Sequence, residues 1–168
     1  MEYISSDTNV WIDFNIISRM NLPFLLPYTY IMYTESMESE LLNPEGFKDQ
    51  LAEAGLVGVD ITIEEFLLAQ SWGPLYPKLS IQDRIALAIA KQRDITLLTG
   101  DKALRMAAAR EGVHVIGTLG ILDQLFDGQY IAKDEYLYCL QEFQKHNGGE
   151  VRLPHSELKK RLDCFSDL

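Results

Sequence analysis

Two aspartates that follow predicted strands are the first candidates for chemistry in this chain of 168 residues. Asp7 comes directly after an apolar run over 3–6, and Asp101 follows the run over 95–98 after two intervening residues. In an open α/β sheet, ligands bind outside the carboxyl ends of the parallel strands. We therefore expect both carboxylates at the edge of the sheet where a ligand would lie.

Two further acids could join them from other parts of the sequence. Asp83 lies in the first turn of a predicted buried helix. Glu40 lies on the acidic helix after the second predicted strand, where Glu38 and Glu35 are alternatives to it. Carboxylates that converge without compensating bases raise one another's pKa unless a cation holds them together. Mg²⁺ or Mn²⁺ meets this requirement, because both ions prefer oxygen ligands.

The chemistry that such a site could perform is the hydrolysis of phosphodiesters. Two divalent ions about 3.5–4 Å apart can activate a water molecule and stabilise the leaving oxygen of a phosphodiester. Convergence of the four acids would therefore indicate a nuclease.

Each acid also has a structural interpretation. Asp83 ends the segment Ser80-Ile81-Gln82-Asp83, which matches a capping box at the start of a helix. Asp7 and Asp101 each precede a predicted helix and could be its N-cap, a position that aspartate favours. The three glutamates could form a solvated helix face. Only the joint placement of the acids favours catalysis over these structural roles.

Short apolar runs alternate with helical patterns along most of the chain, which is typical of an α/β domain with a parallel sheet. The predicted strands are 3–6, 28–33, 56–61, 95–98 and 113–116. The predicted helices cover 10–17, 35–42, 47–54, 63–70, 80–92, 102–111, 119–126, 133–145 and 155–165. Because the chain is purely helical from Lys133 onward, we expect an α/β domain over residues 1–128. Residues 129–168 are then a C-terminal helical extension that packs on the domain or on a partner.

The charge balance limits how the protein could contact nucleic acid. Lys and Arg number 15 and Asp and Glu number 25, which gives a net charge of −10. Proteins that coat nucleic acid neutralise phosphates with many clustered basic residues, so contact here would be local or metal-assisted. Basic residues near the Asp83 and Asp101 segments could guide a phosphate chain, or could be ordinary solvated helix ends. They are Lys91, Arg93, Lys102, Arg105 and Arg110.

Several features favour a cytoplasmic protein without membrane contact. The first residues lack the basic and apolar regions of a signal peptide. The longest uncharged stretch, 20–34, is broken by Pro23 and Pro27 and is shorter than the roughly 20 apolar residues that cross a bilayer. Cys139 and Cys164 do not form a C-x-x-C pair, which suits a reduced compartment.

Three segments resemble, in order and spacing, the best-marked blocks of the PIN-domain nucleases. They read SDTNVWI from Ser6, LSIQDRIALA from Leu79 and LLTGDKAL from Leu97. The pair Glu40-Leu41 resembles the E-L of the remaining acidic block of that family. The resemblance extends over roughly residues 3–126, which is most of the chain.

The resemblance implies a Rossmann-like parallel sheet flanked by helices, whose acids bind one or two Mg²⁺ or Mn²⁺ ions and cleave RNA through a metal-activated water. Many family members are toxins of bacterial toxin–antitoxin pairs, similar to VapC, and work as dimers silenced by an antitoxin peptide. RNA, a second copy of the chain and an antitoxin protein are therefore the expected partners. By position, the catalytic and metal-binding acids are Asp7, Glu40, Asp83 and Asp101, with Thr99 as the catalytic hydroxyl and Asn9 as a polar helper. The helical tail after Gly128 exceeds the compact toxin pattern.

Two other functions stay open at this point. A phosphotransfer domain, such as a haloacid-dehalogenase-like phosphatase or a receiver, also has an aspartate after its first strand. The phosphatase pattern needs a second acid two residues later, where this chain has Asn9. A catalytically degenerate scaffold whose tail binds another protein would account for the acidic charge and the extra helices. A hydrolase triad finds no support, because no G-x-S-x-G elbow occurs and His114 lies in an apolar run that indicates a buried or edge histidine.

Overall fold

The computed structural model of the protein describes residues 2–166, which form five strands and nine α-helices. The strands are β1 (Glu2–Ser6), β2 (Tyr28–Tyr33), β3 (Val57–Val59), β4 (Thr96–Leu98) and β5 (Val115–Ile116). The helices are α1 (Thr8–Ile16), α2 (Thr34–Glu40), α3 (Phe47–Ala54), α4 (Ile63–Ser71), α5 (Ile81–Arg93), α6 (Lys102–Arg110), α7 (Thr118–Asp127), α8 (Lys133–His146) and α9 (His155–Ser166). None of the helices in this part of the chain has the length and apolar character needed to span a membrane.

The strands form a single parallel sheet in the order β3-β2-β1-β4-β5, which confirms the predicted α/β class. Ile4 in β1 faces Tyr30 in β2 on one side and Thr96 in β4 on the other. The chain builds outward from β1 to β3 and then returns to place β4 on the opposite side of β1. The strand order therefore reverses between β1 and β4. Such a switch point opens a crevice at the carboxyl ends of the two strands, where ligands of α/β sheets bind.

Helices cover both faces of the sheet, as the apolar strands require. On one face, α1, α7 and α8 share a core that includes Trp11, Phe14 and Leu122. On the other face, α4, α5 and α6 share a core that includes Leu87 and Leu104. The prediction of a buried middle helix is confirmed, since residues 85–90 of α5 are all buried.

The C-terminal helices pack on the α1 and α7 face. The ring of Phe143 in α8 meets the ring of Phe14 in α1 edge to face, with 5.6 Å between the ring centres. In α9, Leu158 is buried in the same core, and Arg161 donates to the Asp123 carboxylate of α7 at 2.7 Å. These apolar contacts join residues beyond 128 to the core of the α/β layer.

The third and fifth strands are shorter than their apolar runs predict. Only Val57–Val59 of the run 56–61 pairs with β2. In the fifth run, pairing starts at Val115, so the prediction that His114 lies within a strand is wrong. Both strands are at the edges of the sheet, where one side has no partner strand and pairing ends early. His114 is exposed just before β5, and its backbone carbonyl accepts from the amide of Leu97.

Candidate active site

Asp7 and Thr99 lie together at the switch point of the sheet. The backbone amide of Asp7 donates to the carbonyl of Leu98 at 2.9 Å, which holds the ends of β1 and β4 side by side. The Thr99 hydroxyl donates to Oδ2 of Asp7 at 2.9 Å, and it accepts from the backbone amide of Asp101 at 3.1 Å. Thr99 is fully buried and Asp7 is 5 % exposed. The predicted hydroxyl thus joins the carboxylate of Asp7 to the backbone amide of Asp101.

Glu40 reaches this cluster through Thr8. The Thr8 hydroxyl donates to Oε2 of Glu40 at 2.6 Å, while the Thr8 backbone amide donates to Oδ1 of Asp7 at 2.8 Å. Glu38 instead accepts from Lys48 at 2.9 Å, and Glu35 is exposed. Of the three glutamates that the sequence leaves open, Glu40 is therefore the one that the structure places beside Asp7.

The three aspartates also have the predicted structural roles, since Asp7 and Asp101 are N-caps and Asp83 belongs to a capping box. Asp83 completes a capping box with Ser80 at the start of α5, using Oδ2 at 3.0 Å. Asp101 caps α6 by accepting from the amide of Leu104 at 2.9 Å, also through Oδ2. These hydrogen bonds to Oδ2 fix the orientation of both carboxylates at the start of their helices.

The electrostatics of Asp7 show that the acids share one environment. Burial raises the pKa of Asp7 to about 7, and the charges of Asp83 and Glu40 add to that rise, while the hydrogen bonds from Thr99 and Thr8 lower it. The pKa of Asp83 is also raised, by burial first and by the charge of Asp101. Four acids from distant parts of the sequence thus interact at the edge of the sheet.

The side chains of the four acids and Thr99 offer the kind of ligand atoms that a hard divalent cation binds. The donors are carboxylate and hydroxyl oxygens, the ligand type that Mg²⁺ and Mn²⁺ prefer. In the part of the chain that the structure describes, none of the four acids forms a salt bridge. The charge of Arg84 lowers the pKa of Asp83, but no basic side chain acts in this way on the buried Asp7. Among the same residues, no three Asp, Glu, His or Cys side chains lie close enough together to bind one ion in the observed arrangement. An ion would have to draw the carboxylates together.

Two of the basic residues predicted near the acids lie elsewhere. Lys91 pairs with Glu111 at 2.7 Å, and Arg93 pairs with Glu65 at 2.8 Å. Both are in the last turn of α5, at the opposite end of that helix from Asp83. Because both are neutralised by ion pairs, the structure favours the alternative that they are ordinary helix ends over a role in guiding phosphates. Asn9 is exposed on α1 and takes no part in the hydrogen bonds of the acids.

Thr8 is the site residue that the sequence interpretation missed. Thr8 is only 4 % exposed. Among the described residues, it is the only one that forms hydrogen bonds to both Asp7 and Glu40. The sequence indicates this role only through the position of Thr8 directly after Asp7, in the segment SDTNVWI that resembles the first family block. A narrow cleft opens beside it, also lined by Ser36, Tyr33 and Gln82, with room for about one water molecule.

Comparison with known proteins agrees with this geometry. A family model described as a PIN domain matches residues 3–166, nearly the whole chain and including both C-terminal helices. Neither the search of curated proteins nor the search of solved structures found a significant match. The family match therefore spans both the α/β layer and the two C-terminal helices.

Proposed function

Because the chain belongs to the PIN-domain family, whose members are generally nucleases, we propose that it hydrolyses RNA phosphodiester bonds with the help of Mg²⁺ or Mn²⁺. The observation that carries the proposal is the buried carboxylate of Asp7. It lies at the ligand edge of the sheet, next to other acids, and no basic side chain of residues 2–166 pairs with it. A protein retains such an uncompensated charge at a functional site more readily than elsewhere.

The roles of the residues follow from their contacts. Asp7, Glu40, Asp83 and Asp101 would hold the ion or ions. A bound divalent ion supplies a Lewis acid that lowers the pKa of a water molecule and stabilises the charge on the leaving oxygen. Thr99 fixes Oδ2 of Asp7 and Thr8 fixes Glu40, so both hydroxyls orient the acids. The helix caps hold Asp83 and Asp101 against rotation.

The test is cleavage of a mixed-sequence RNA by purified protein with Mn²⁺ or Mg²⁺, with and without a chelator. We expect cleavage that needs the ion and that leaves no 2′,3′-cyclic phosphate, because water rather than the ribose 2′-hydroxyl is the nucleophile. Products with a cyclic phosphate would indicate a contaminating ribonuclease. Absence of cleavage across a varied set of RNAs would favour the alternative, a catalytically degenerate PIN-domain scaffold.

Thr8→Val should lower kcat/KM for RNA roughly tenfold. Valine keeps the shape of the side chain but cannot donate to Glu40, and a hydrogen bond to a charged group contributes about 1.5–3 kcal/mol. Since each 1.36 kcal/mol of barrier is a factor of ten in rate, the loss is measurable. Thr8→Ser retains the hydroxyl and is the matched control. Equal rates for the valine and serine variants would show that Glu40 needs no positioning by Thr8.

The biological setting is a further part of the proposal. By family resemblance, the protein is a homodimer and the toxin of a toxin–antitoxin pair, and its cysteine usage favours a cytoplasmic location. An exposed apolar face on α4, formed by Ile63, Phe66 and Leu67, is available for contact with another chain. Sedimentation analysis of the purified protein tests the dimer, and co-expression with a protein encoded beside it tests the antitoxin.

A further inference from the structure

A groove next to Asp101 lies outside the acidic cluster and has no role in the proposed chemistry. It runs between α6 and the segment that connects α4 to α5, with a volume of about 690 Å³. Its lining includes Leu75, Tyr76, Lys78, Asp101, Met106 and Arg110. Because Asp101 is part of both, the groove opens directly onto the candidate active site.

The floor of the groove is apolar and open to solvent. Leu75 is 52 % exposed and Met106 is 61 % exposed, although neither has a charged or polar group that would favour contact with water. The mostly buried Tyr76 is held in place, since its hydroxyl donates to Glu111 and the Arg110 guanidinium lies 5.5 Å from the ring centre. The exposed side chains of Leu75 and Met106 thus offer an apolar surface that a flat ligand could cover.

The rim of the groove carries unpaired positive charge. Lys78, Lys102 and Arg110 are exposed and form no ion pair with any residue of 2–166. Lys91, which lies on the neighbouring helix α5, is instead neutralised by an ion pair with Glu111. Lys102 and Arg110 are at opposite ends of α6, about 12 Å apart along its axis. In a chain with a net charge of −10, three cations without a salt bridge, one of which lies over the Tyr76 ring, form a local site for an extended polyanion.

We propose that this groove binds single-stranded RNA on one side of the bond that is cut, an inference that rests on the proposed ribonuclease function. Phosphates lie along Lys78, Lys102 and Arg110, and one or two bases cover Leu75 and Met106. Single-stranded nucleic acid is bound by a basic groove that follows the backbone together with aromatic side chains on which bases stack. Here the aliphatic side chains of Leu75 and Met106 take the place of the aromatic ones. RNA is favoured over an acidic peptide because the groove ends at Asp101, where the scissile phosphate would lie.

The test measures binding of a fluorescent single-stranded RNA of mixed sequence in a chelator, so that no cleavage occurs. The variant Lys78→Ala/Lys102→Ala should bind at least tenfold more weakly at 0.1 M salt. Its slope of log affinity against log salt should be smaller by about 1.4, because each phosphate contact to a single strand contributes about 0.7. Lys133→Ala/Lys145→Ala is the matched control, since it removes the same charge from α8 on the other face of the sheet. Leu75→Ala/Met106→Ala should weaken binding severalfold without a change in the slope.

The outcomes separate this inference from the function on which it rests. Loss of affinity in the groove variants, with the α8 control unchanged, supports the groove as the RNA site. Equal affinity of wild type and groove variants overturns it, and metal-dependent cleavage by the wild type would then still support the ribonuclease. If the wild type binds no RNA in the chelator, the inference is overturned, and the cleavage assay with Mn²⁺ or Mg²⁺ decides separately on the ribonuclease. Concentration-dependent association of the protein that the groove variants abolish would assign the groove to a second copy of the chain and overturn the inference.

Discussion

Asp7→Asn should reduce RNA cleavage by at least about 100-fold while leaving the protein folded. Asparagine has nearly the same shape, but it removes the charge at the centre of the acidic cluster. Metal-ion catalysis contributes several kcal/mol of transition-state stabilisation, and each 1.36 kcal/mol is a factor of ten. Asp7 is the acid that both Thr8 and Thr99 hold in place, so it is the most constrained ligand available. The measurement is the initial rate at saturating Mn²⁺, with circular dichroism to verify the fold.

A matched control is Asp134→Asn, which makes the same chemical change on an exposed residue in the first turn of α8. It should leave the rate unchanged. If Asp7→Asn keeps most of the wild-type rate, Asp7 is a helix cap and the catalytic assignment is wrong. If Asp7→Asn loses activity only because it unfolds, the assignment is equally unsupported, and Asp7→Glu, which keeps the charge, would then decide between the two roles.

The same substitution should stabilise the metal-free protein at alkaline pH. The pKa of Asp7 is about 7 in the folded protein and close to 3.8 when the chain is unfolded. Between these values the folded protein binds the proton and the unfolded chain does not, so the stability of the wild type falls as pH rises from about 4 to 7. Each pKa unit corresponds to about 1.4 kcal/mol, so above pH 7 the ionised Asp7 lowers the free energy of unfolding by an amount of the order of a few kcal/mol. Asparagine does not ionise, so the Asp7→Asn variant does not lose this stability.

Thermal unfolding in a chelator at pH 4.5 and pH 8 measures this effect. The melting temperature of Asp7→Asn should exceed that of the wild type by roughly 5–10 °C at pH 8, since about 1 kcal/mol corresponds to 2–4 °C in a protein of this size. At pH 4.5 the difference should nearly vanish. A variant that is less stable than the wild type at both pH values would mean that ionisation of Asp7 does not destabilise the folded protein. Its role would then be that of an ordinary N-cap.

Much of the fold could be predicted from the sequence, because local patterns decide it. The run 28–33 and the helix 47–54 match the observed β2 and α3 at both ends. Ser80 and Asp83 mark the start of α5 because a capping box is a local structure that needs no tertiary partner. The placement of Asp7 and Asp101 at one edge follows from the parallel strand order, which the alternation of strands and helices already indicates.

Those parts of the site that depend on tertiary contacts could not be predicted. Residue pattern alone leaves Glu40, Glu38 and Glu35 open, and only the family resemblance of Glu40-Leu41 favours Glu40. Which glutamate contacts Thr8 depends on the side of α2 that faces it, and on the ion pair that Lys48 forms with Glu38. Whether a basic residue is free depends in the same way on a partner far along the chain. Lys91 is neutralised by Glu111, whereas Lys102 is not, although both looked equivalent in the sequence. Side-chain pairing of this kind is set by packing and leaves no local pattern.

The most direct test of the metal-dependent site is a calorimetric titration of the purified wild type with Mn²⁺ at pH 8, beside folded Asp7→Asn and Asp83→Asn. It requires no knowledge of the substrate. At this pH Asp7 is mainly ionised, so affinity for the ion is not limited by its protonation. We expect the wild type to bind Mn²⁺ and both variants to lose that binding. Failure of the wild type to bind, or variants that bind as tightly as the wild type, would contradict the assignment of the four acids as a metal site.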